Sequence, residues 1–516
     1  MEPAVVGASS GSEADARMKR TLDDLVSKMS TMELSRPEVL RCTYAFQAIR
    51  ALAVAEKIQS FDAGALYAWS RQTTSISEFW THSWHGSKRA KICLLLVANN
   101  GLVAICLGSC AAVLLSLVLW AVRGPSGATE ETMPTLQGQY HAIISSTRME
   151  GLASSLLGLL VTSACLLLWR RSTPVFLDRV CVHQTDTQLK LAGLVSMGAI
   201  LQKSNVLTVC WDVTYSTRLW CLFELAAFLK SHGRQAKVVV RPAVLGPVTI
   251  GIFAGFEFAV VALLLLPRAG DQAGTILARI ALILVASVAA FWCPLSALRS
   301  FYRSIDTMEA QLRQFRLDNA TCHCCTIGHV KPDGRVTLCD RQVIERCLLH
   351  WFGSVESFEE CVQTTVSKAL ARQLGQFSFP ISWMFGCSCP LLWTFATSAI
   401  RQPFVGTFFI LAWSCAIPAI FMIGASAAYK LRGQFSSRWL DGAATLACVL
   451  ACALSYMCME TLAALLSNTH LTYWQSVAAF ALLMALITLC IWCCWSKAAC
   501  RRKHLQKQLG NNAMSV

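Results

Sequence analysis

Charge is what this chain has least of. Only 15% of its 516 residues are Asp, Glu, Lys or Arg, against 55% hydrophobic residues, and the mean hydropathy is +0.49. Such values fall outside the range of soluble globular domains, so the chain reads as an integral membrane protein. Acids are scarcer than bases, 30 against 45, which leaves a formal charge of +15. In a membrane protein that excess belongs to loops facing anionic lipid, and nucleic acid is not an expected partner. Ionisable residues are nearly missing from the long apolar runs; Glu257 and Glu460 are the clearest. Each is either a functional group or an interhelical hydrogen-bonding one. So few of them point to no pump or selective channel. No P-loop, G-x-G-x-x-G, H-E-x-x-H or G-x-S-x-G stands in a supporting context, and no inverted hydropathy repeat marks a transporter. Residues 1–36 begin polar and acidic, so no cleavable signal peptide is expected. The 25 cysteines sit mostly in apolar runs, where a thiol behaves as a small hydrophobe, and they imply no disulfide framework.

What is present is a set of long apolar segments. Eight membrane spans are expected at 92–120, 150–169, 243–266, 276–297, 378–399, 404–427, 441–466 and 473–495. Each is long enough, at about 1.5 Å per helical residue, to cross a hydrocarbon core of about 30 Å. The fifth contains Pro380, Gly386 and Pro390 and is the one most open to being broken or re-entrant. Asn99 and Asn100 in the first should face other helices. Basic residues concentrate in segments 1–91, 171–242, 298–377, 428–440 and 496–516, which eight spans place on one side. The positive-inside rule makes that side the cytosol, with both termini on it.

The expected organisation is a tail with an amphipathic helix (1–74, the helix within 37–60), a first piece of a soluble domain (75–91), a transmembrane hairpin (92–170) and the main part of that domain (171–242). Two spans (243–297), a cytoplasmic helical region with a Cys-rich loop (298–377), four spans (378–495) and a basic tail (496–516) follow. Within the soluble pieces, Ile76–Ser83, Val175–Leu177, Val206–Trp211 and Val238–Val240 read as strands; 189–202 and 218–230 read as helices. Strands joined by helices imply a small, mostly parallel α/β sheet with its site outside the strands' C-terminal ends. His82, Ser83, Trp84, Asp178 and the loop 211–217 occupy those ends. Trp220 and Glu224 share a helix face four residues apart, and an acid is the oddest residue in so apolar a helix.

VFLD at 175–178, LVSMGAILQKSNVLTV at 194–209 and YSTRLWCLFELAAF at 215–228 resemble the central motifs of a TIR domain, in particular the W-C-x-x-E-L helix of the plant and bacterial forms. FWTHSWHG at 79–86 resembles its first strand and loop, in the His-Ser-Trp variant of membrane-bound proteins of dinoflagellate algae. Those algal proteins also resemble the later HVKPDGRVTLCDRQVIERCLLHWFGSVESF. The resemblance implies cleavage of NAD between nicotinamide and ribose, with Glu224 as the essential carboxylate. Breaking an N-riboside bond builds oxocarbenium character that a carboxylate stabilises, and nicotinamide leaves without a partner acid. In that reading Trp220 walls the nucleotide pocket, Trp84 stacks on a base, Ser83 donates to a ribose or phosphate oxygen, and Asp178 belongs to the cofactor-binding set. The plain alternative makes the tryptophans packing residues, Glu224 a partner of Arg218 and Asp178 a turn residue. The chain departs from the family pattern by placing a membrane hairpin where a TIR domain has a soluble helix.

Cys322, Cys324, Cys325, His329 and Cys339 supply soft ligands, but adjacent Cys324 and Cys325 rarely both bind one ion and no second C-x-x-C returns. No metal is expected, with Cys322, Cys324, His329 and Cys339 as the weaker alternative. No cofactor is required; NAD enters only as substrate or ligand. Three function classes stand. They are a membrane-anchored signalling or scaffold protein with a cytoplasmic TIR-like domain, a membrane-bound NAD hydrolase, and a channel or transporter gated by a nucleotide-binding domain. The expected partners are the lipid bilayer and a second copy of the chain meeting it through the cytoplasmic domain.

Overall fold

The computed structural model describes residues 20, 23–24, 26–54, 64–123, 136–265, 273–326, 328–329, 339–368, 379–401, 403–467, 475, 478–490 and 493. It divides into two compact units: Met1–Leu94, Arg170–Ala243 and Ser304–Gly375 form one, and Leu95–Trp169, Val244–Arg303 and Gln376–Val516 the other.

The first unit holds a six-stranded sheet: β1 (Arg41–Tyr44), β2 (Arg71–Gln72), β3 (Ile76–His82), β4 (Pro174–Phe176), β5 (Ser204–Trp211) and β6 (Val238–Pro242), in spatial order β2-β1-β4-β3-β5-β6. The four expected strands are all present and mutually parallel. Phe79 and Phe176 stack at 4.7 Å across the β3–β4 pair, and Ile76, Leu207 and Val209 are fully buried. β1 and β2 depart from expectation. Part of the segment read as one amphipathic helix is instead strand β1, followed by α1 (Ala45–Val54). The run Arg-Cys-Thr-Tyr pairs antiparallel with β4 on one side and β2 on the other, so β4's edge finds a ladder partner. Local amphipathicity carries no information about that long-range pairing.

The remaining helices, in chain order, are α2 (Lys88–Arg123), α3 (Leu136–Leu168), α4 (Asp178–Cys181), α5 (Thr187–Val195), α6 (Met197–Gln202), α7 (Leu219–His232), α8 (Leu245–Leu265), α9 (Ala273–Arg313), α10 (His323–Thr326), α11 (Asp340–Phe352), α12 (Val355–Cys361), α13 (Ile381–Arg401), α14 (Pro403–Lys430) and α15 (Arg438–Ser467). The single helix expected at 189–202 is two, broken at Ser196, whose hydroxyl accepts the Ser35 N–H at 2.9 Å. Asp186 caps α5 by accepting from the Gln188 and Leu189 amides. In α7, eight residues from Leu219 to Phe228 are buried, so the helix is covered on more than one side. One cover is α11, whose Trp351 stacks on Phe223 at 5.3 Å and donates to the Ser30 carbonyl at 2.9 Å.

In the second unit, five helical segments among the described residues are long and apolar enough to cross a membrane, rather than the eight expected: Lys88–Val122, Thr147–Leu168, Leu245–Ala262, Ile280–Arg313 and Arg438–Met459. The first and fourth extend beyond that unit's bounds. Of the segment 378–399, residues 381–399 are helical in α13, but Ser388, Pro390, Thr394, Thr397 and Ser398 dilute its apolar run. The segment 404–427 lies in α14, where several side chains fall outside the described residues; of 473–495, the shorter apolar helix Ala478–Cys490 is described.

Within this unit, small residues and polar side chains join the helices. A Cβ on Gly158 of α3 would stand 2.5 Å from the Trp393 ring, so only glycine admits that indole. Asn100 donates to the Leu166 and Trp169 carbonyls, as expected of an asparagine facing another helix, while Asn99 bonds its own helix at Leu95. Glu257 is buried and accepts from the Ser155 hydroxyl at 2.9 and 3.0 Å, the interhelical role. The side chain of Glu460 lies outside the described residues. Two further ion pairs went unread in the sequence. Arg401 meets Glu150 at 2.9 Å, both buried, and fully buried Arg299 meets Asp441 at 3.0 Å while donating to the Leu431 carbonyl and Thr445.

Candidate functional site

Taken alone, the parallel strands run β4-β3-β5-β6, second-first-third-fourth in chain order. Such an order reverses between β3 and β5, and ligands of open α/β sheets bind outside the strand ends at that reversal. The chain segments leaving those ends are His82–Ser83–Trp84 after β3, Asp178 just beyond β4, and Asp212 after β5.

Glu224, partly buried on α7, is hydrogen-bonded to the hydroxyl of Thr81, a buried residue of β3. Burial lifts its carboxyl to about 8; the Thr81 bond works against that rise and the charge of Asp178 adds to it. Thr81 in turn lies 3.2 Å from the Tyr215 hydroxyl, which donates to the Cys221 carbonyl at 3.2 Å. The bond that lowers the Glu224 value is one in which Thr81 donates to the carboxyl, while Tyr215 donates to the backbone.

Asp178 accepts from the Trp84 indole at 3.2 Å and from the Arg179 amide at 2.7 Å. Burial raises it to about 6 in spite of those two bonds. The Trp84 ring, 39% exposed, meets His82 edge-on at 4.4 Å and has the Arg179 guanidinium 5.7 Å from its centroid. Burial, helped by the nearby charge of Lys91, pushes His82 down to about 3, so its imidazole is neutral; its Nε2 has no hydrogen-bond partner among the described residues.

Ser83 is placed differently from expectation. It is fully buried; its hydroxyl accepts from Thr214 at 2.7 Å, and its carbonyl accepts from the Lys91 ammonium. Lys91 also pairs with Asp212 at 3.0 Å, and Asp212 holds the Thr214 amide at 2.9 Å. This knot fastens the loop after β3 to the loop after β5. Gly86 belongs to it, because a Cβ there would fall 1.9 Å from an Asp212 carboxylate oxygen.

Trp220 also points its polar atom elsewhere, donating to Asp340 of α11 at 3.1 Å. Arg218 bonds the Thr321 hydroxyl at 3.1 Å. Thr321 forms a parallel bridge with Arg218 and exchanges backbone hydrogen bonds with Thr217 and Leu219. The Cys-rich segment is thereby laid along the start of α7. In it Cys324, Cys325, His329 and Cys339 gather, with their ligand atoms all within 4.8 Å of one another, while Cys322 approaches Cys324 and Asp340.

The structure thus bonds Trp84 to Asp178, sets Glu224 within electrostatic reach of Asp178, ties Trp220 to Asp340, and buries Ser83 in a loop-fastening network. Thr81, Tyr215, Lys91, Asp212 and Thr214 were not singled out as site residues. Asp212, Thr214 and Tyr215 lie in the loop 211–217 that was expected at the strand ends, while Thr81 and Lys91 left no such signal. Comparison with protein-family models, curated proteins and solved structures finds no match to this chain.

Proposed function

We propose that this integral membrane protein is a signalling or scaffold protein whose TIR-like α/β domain acts by binding rather than by turnover, with that domain and both termini on the cytosolic face. The observation that carries the reading is the state of Glu224. Its partly buried carboxyl is bonded to Thr81 and pushed up by burial to about 8, which favours the neutral form. An oxocarbenium-like transition state needs a negative charge, and a neutral acid supplies none. Ser83, the expected ribose or phosphate donor, is fully buried, its hydroxyl oxygen accepting from Thr214 and its carbonyl from Lys91. Trp84 and Arg179 remain as the partly exposed groups at the strand ends, suited to a partner surface.

NAD hydrolysis by Glu224 is the second reading, favoured by the electrostatic proximity of Glu224 to Asp178, which Trp84 bonds, at the reversal of strand order. Nicotinamide release from NAD by purified full-length protein, dispersed and clustered, separates the two. The binding reading predicts none in either state. Turnover in wild type that is lost in Glu224→Gln, with folding retained, overturns it.

A further inference from the structure

The Cys-rich segment carries an arrangement that its sequence spacing argued against. Cys324 and Cys325 place their sulfurs 4.0 Å apart, and Cys325 and Cys339 place theirs 3.8 Å apart. His329 is hydrogen-bonded to Cys325. Tetrahedral zinc, with Zn–S near 2.3 Å and Zn–N near 2.0 Å, requires ligand atoms separated by about 3.5–3.8 Å. The two sulfur separations of 4.0 and 3.8 Å are near that range, and all four ligand atoms lie within 4.8 Å of one another.

Adjacent cysteines rarely share an ion because an extended backbone points them apart. These two lie in the single turn α10, and the chain then reverses. Gly328 and His329 both adopt left-handed backbone, with φ of 64° and 61°, and their amides return to the Cys325 and Cys324 carbonyls at 3.2 and 2.9 Å. A left-handed histidine is uncommon. Here it brings the imidazole back over the sulfur four residues earlier.

The surroundings suit an anionic metal–thiolate centre. The Asp340 amide donates to the Cys324 sulfur at 3.3 Å, the Cys322 thiol lies 3.0 Å from the same sulfur, and the Arg341 guanidinium is hydrogen-bonded to Cys325. Three thiolates with one zinc leave a net charge of −1, which Arg341 offsets. Outer contacts of this kind orient ligands and hold their charge. We propose that Cys324, Cys325, His329 and Cys339 bind one structural zinc ion. Three soft thiolates and an imidazole select zinc over hard cations such as magnesium or calcium. The ion would fix the segment 317–326 against the start of α7, through the Thr321 backbone bonds, and Asp340 against Trp220. Its role is to set the helix that carries Glu224, independently of what that helix binds.

Elemental analysis of full-length protein purified without chelator tests this. The expected result is one zinc per chain, kept by Cys361→Ser, which lies outside the cluster, and lost from Cys325→Ser/Cys339→Ser. Should the double variant fail to fold, wild type is used instead. Exchange of its zinc for cobalt should give the intense visible bands of tetrahedral thiolate coordination, and chelation should speed protease cleavage between residues 317 and 341 until zinc is restored. The proposal is overturned by folded wild type without zinc, by a double variant that keeps its zinc, or by an intact mass showing Cys322 and Cys324 joined as a disulfide.

Discussion

The indole of Trp220 donates to the carboxylate of Asp340 at 3.1 Å, so the helix bearing Glu224 is tied to the helix that follows the Cys-rich loop. That bond makes Trp220 a strut between two elements of one unit.

Trp220→Phe keeps the ring and removes the donor. Losing one hydrogen bond to a charged, partly buried acceptor should cost about 1–3 kcal/mol. Thermal unfolding in detergent should fall accordingly, with faster proteolysis of the segment 317–326. An unchanged melting curve would show the bond to be idle.

Glu224 makes stability depend on pH with a definite sign. Its folded-state value of about 8 lies above the ordinary value of 4.5, so the native state holds a proton that the unfolded chain releases. The stability is fully present below pH 4.5 and is lost as pH rises toward 8, at up to about 1.4 kcal/mol per pH unit. Glu224→Gln should remove this slope and equal or exceed wild type at pH 8. A variant as pH-dependent as wild type over that window would assign the slope to another group.

Gly86→Ala places a methyl against the Asp212 carboxylate that Lys91 holds. Displacing that carboxylate should cost about 1–3 kcal/mol, the range of small-to-large changes in a packed site. Asp212→Ala in the same background should recover part of the clash and none of the ion pair. Equal stability of Gly86→Ala and wild type, measured by thermal unfolding, would place the loop elsewhere.

Arg401→Met strips the partner from buried Glu150. An uncompensated buried charge costs about 3–5 kcal/mol. The double variant Arg401→Met/Glu150→Leu should regain most of that loss. Detergent-resistance measurements in which the double variant is worse than the single one would contradict the pairing.

Much of the sheet was legible because β3, β5 and β6 are short apolar runs beside polar turns, and α7 is an apolar run of helical length. β1 and β2 were not, since four and two residues are too short for a periodicity and their pairing with β4 depends on chain far away. Span counting failed where Ser, Thr and Pro enter a helix, as in α13. At the site, Ser83 and Trp84 follow β3 and Asp178 follows β4. Strand-end logic gave no hint that Lys91, one turn into an apolar helix, reaches back to the Ser83 carbonyl. For the Cys324–Cys325 pair, adjacency in sequence gave no view of the turn in which the two sulfurs lie 4.0 Å apart.

The charge of Glu224 at neutral pH is the centre of this account, and infrared spectroscopy reads it directly. The difference spectrum between wild type and Glu224→Gln at pH 7 should contain the carbonyl stretch of a protonated carboxyl group, and that band should give way to carboxylate bands well above pH 8. A difference spectrum showing only carboxylate at pH 7 would contradict the account and return Glu224 to the role of a charged catalytic group.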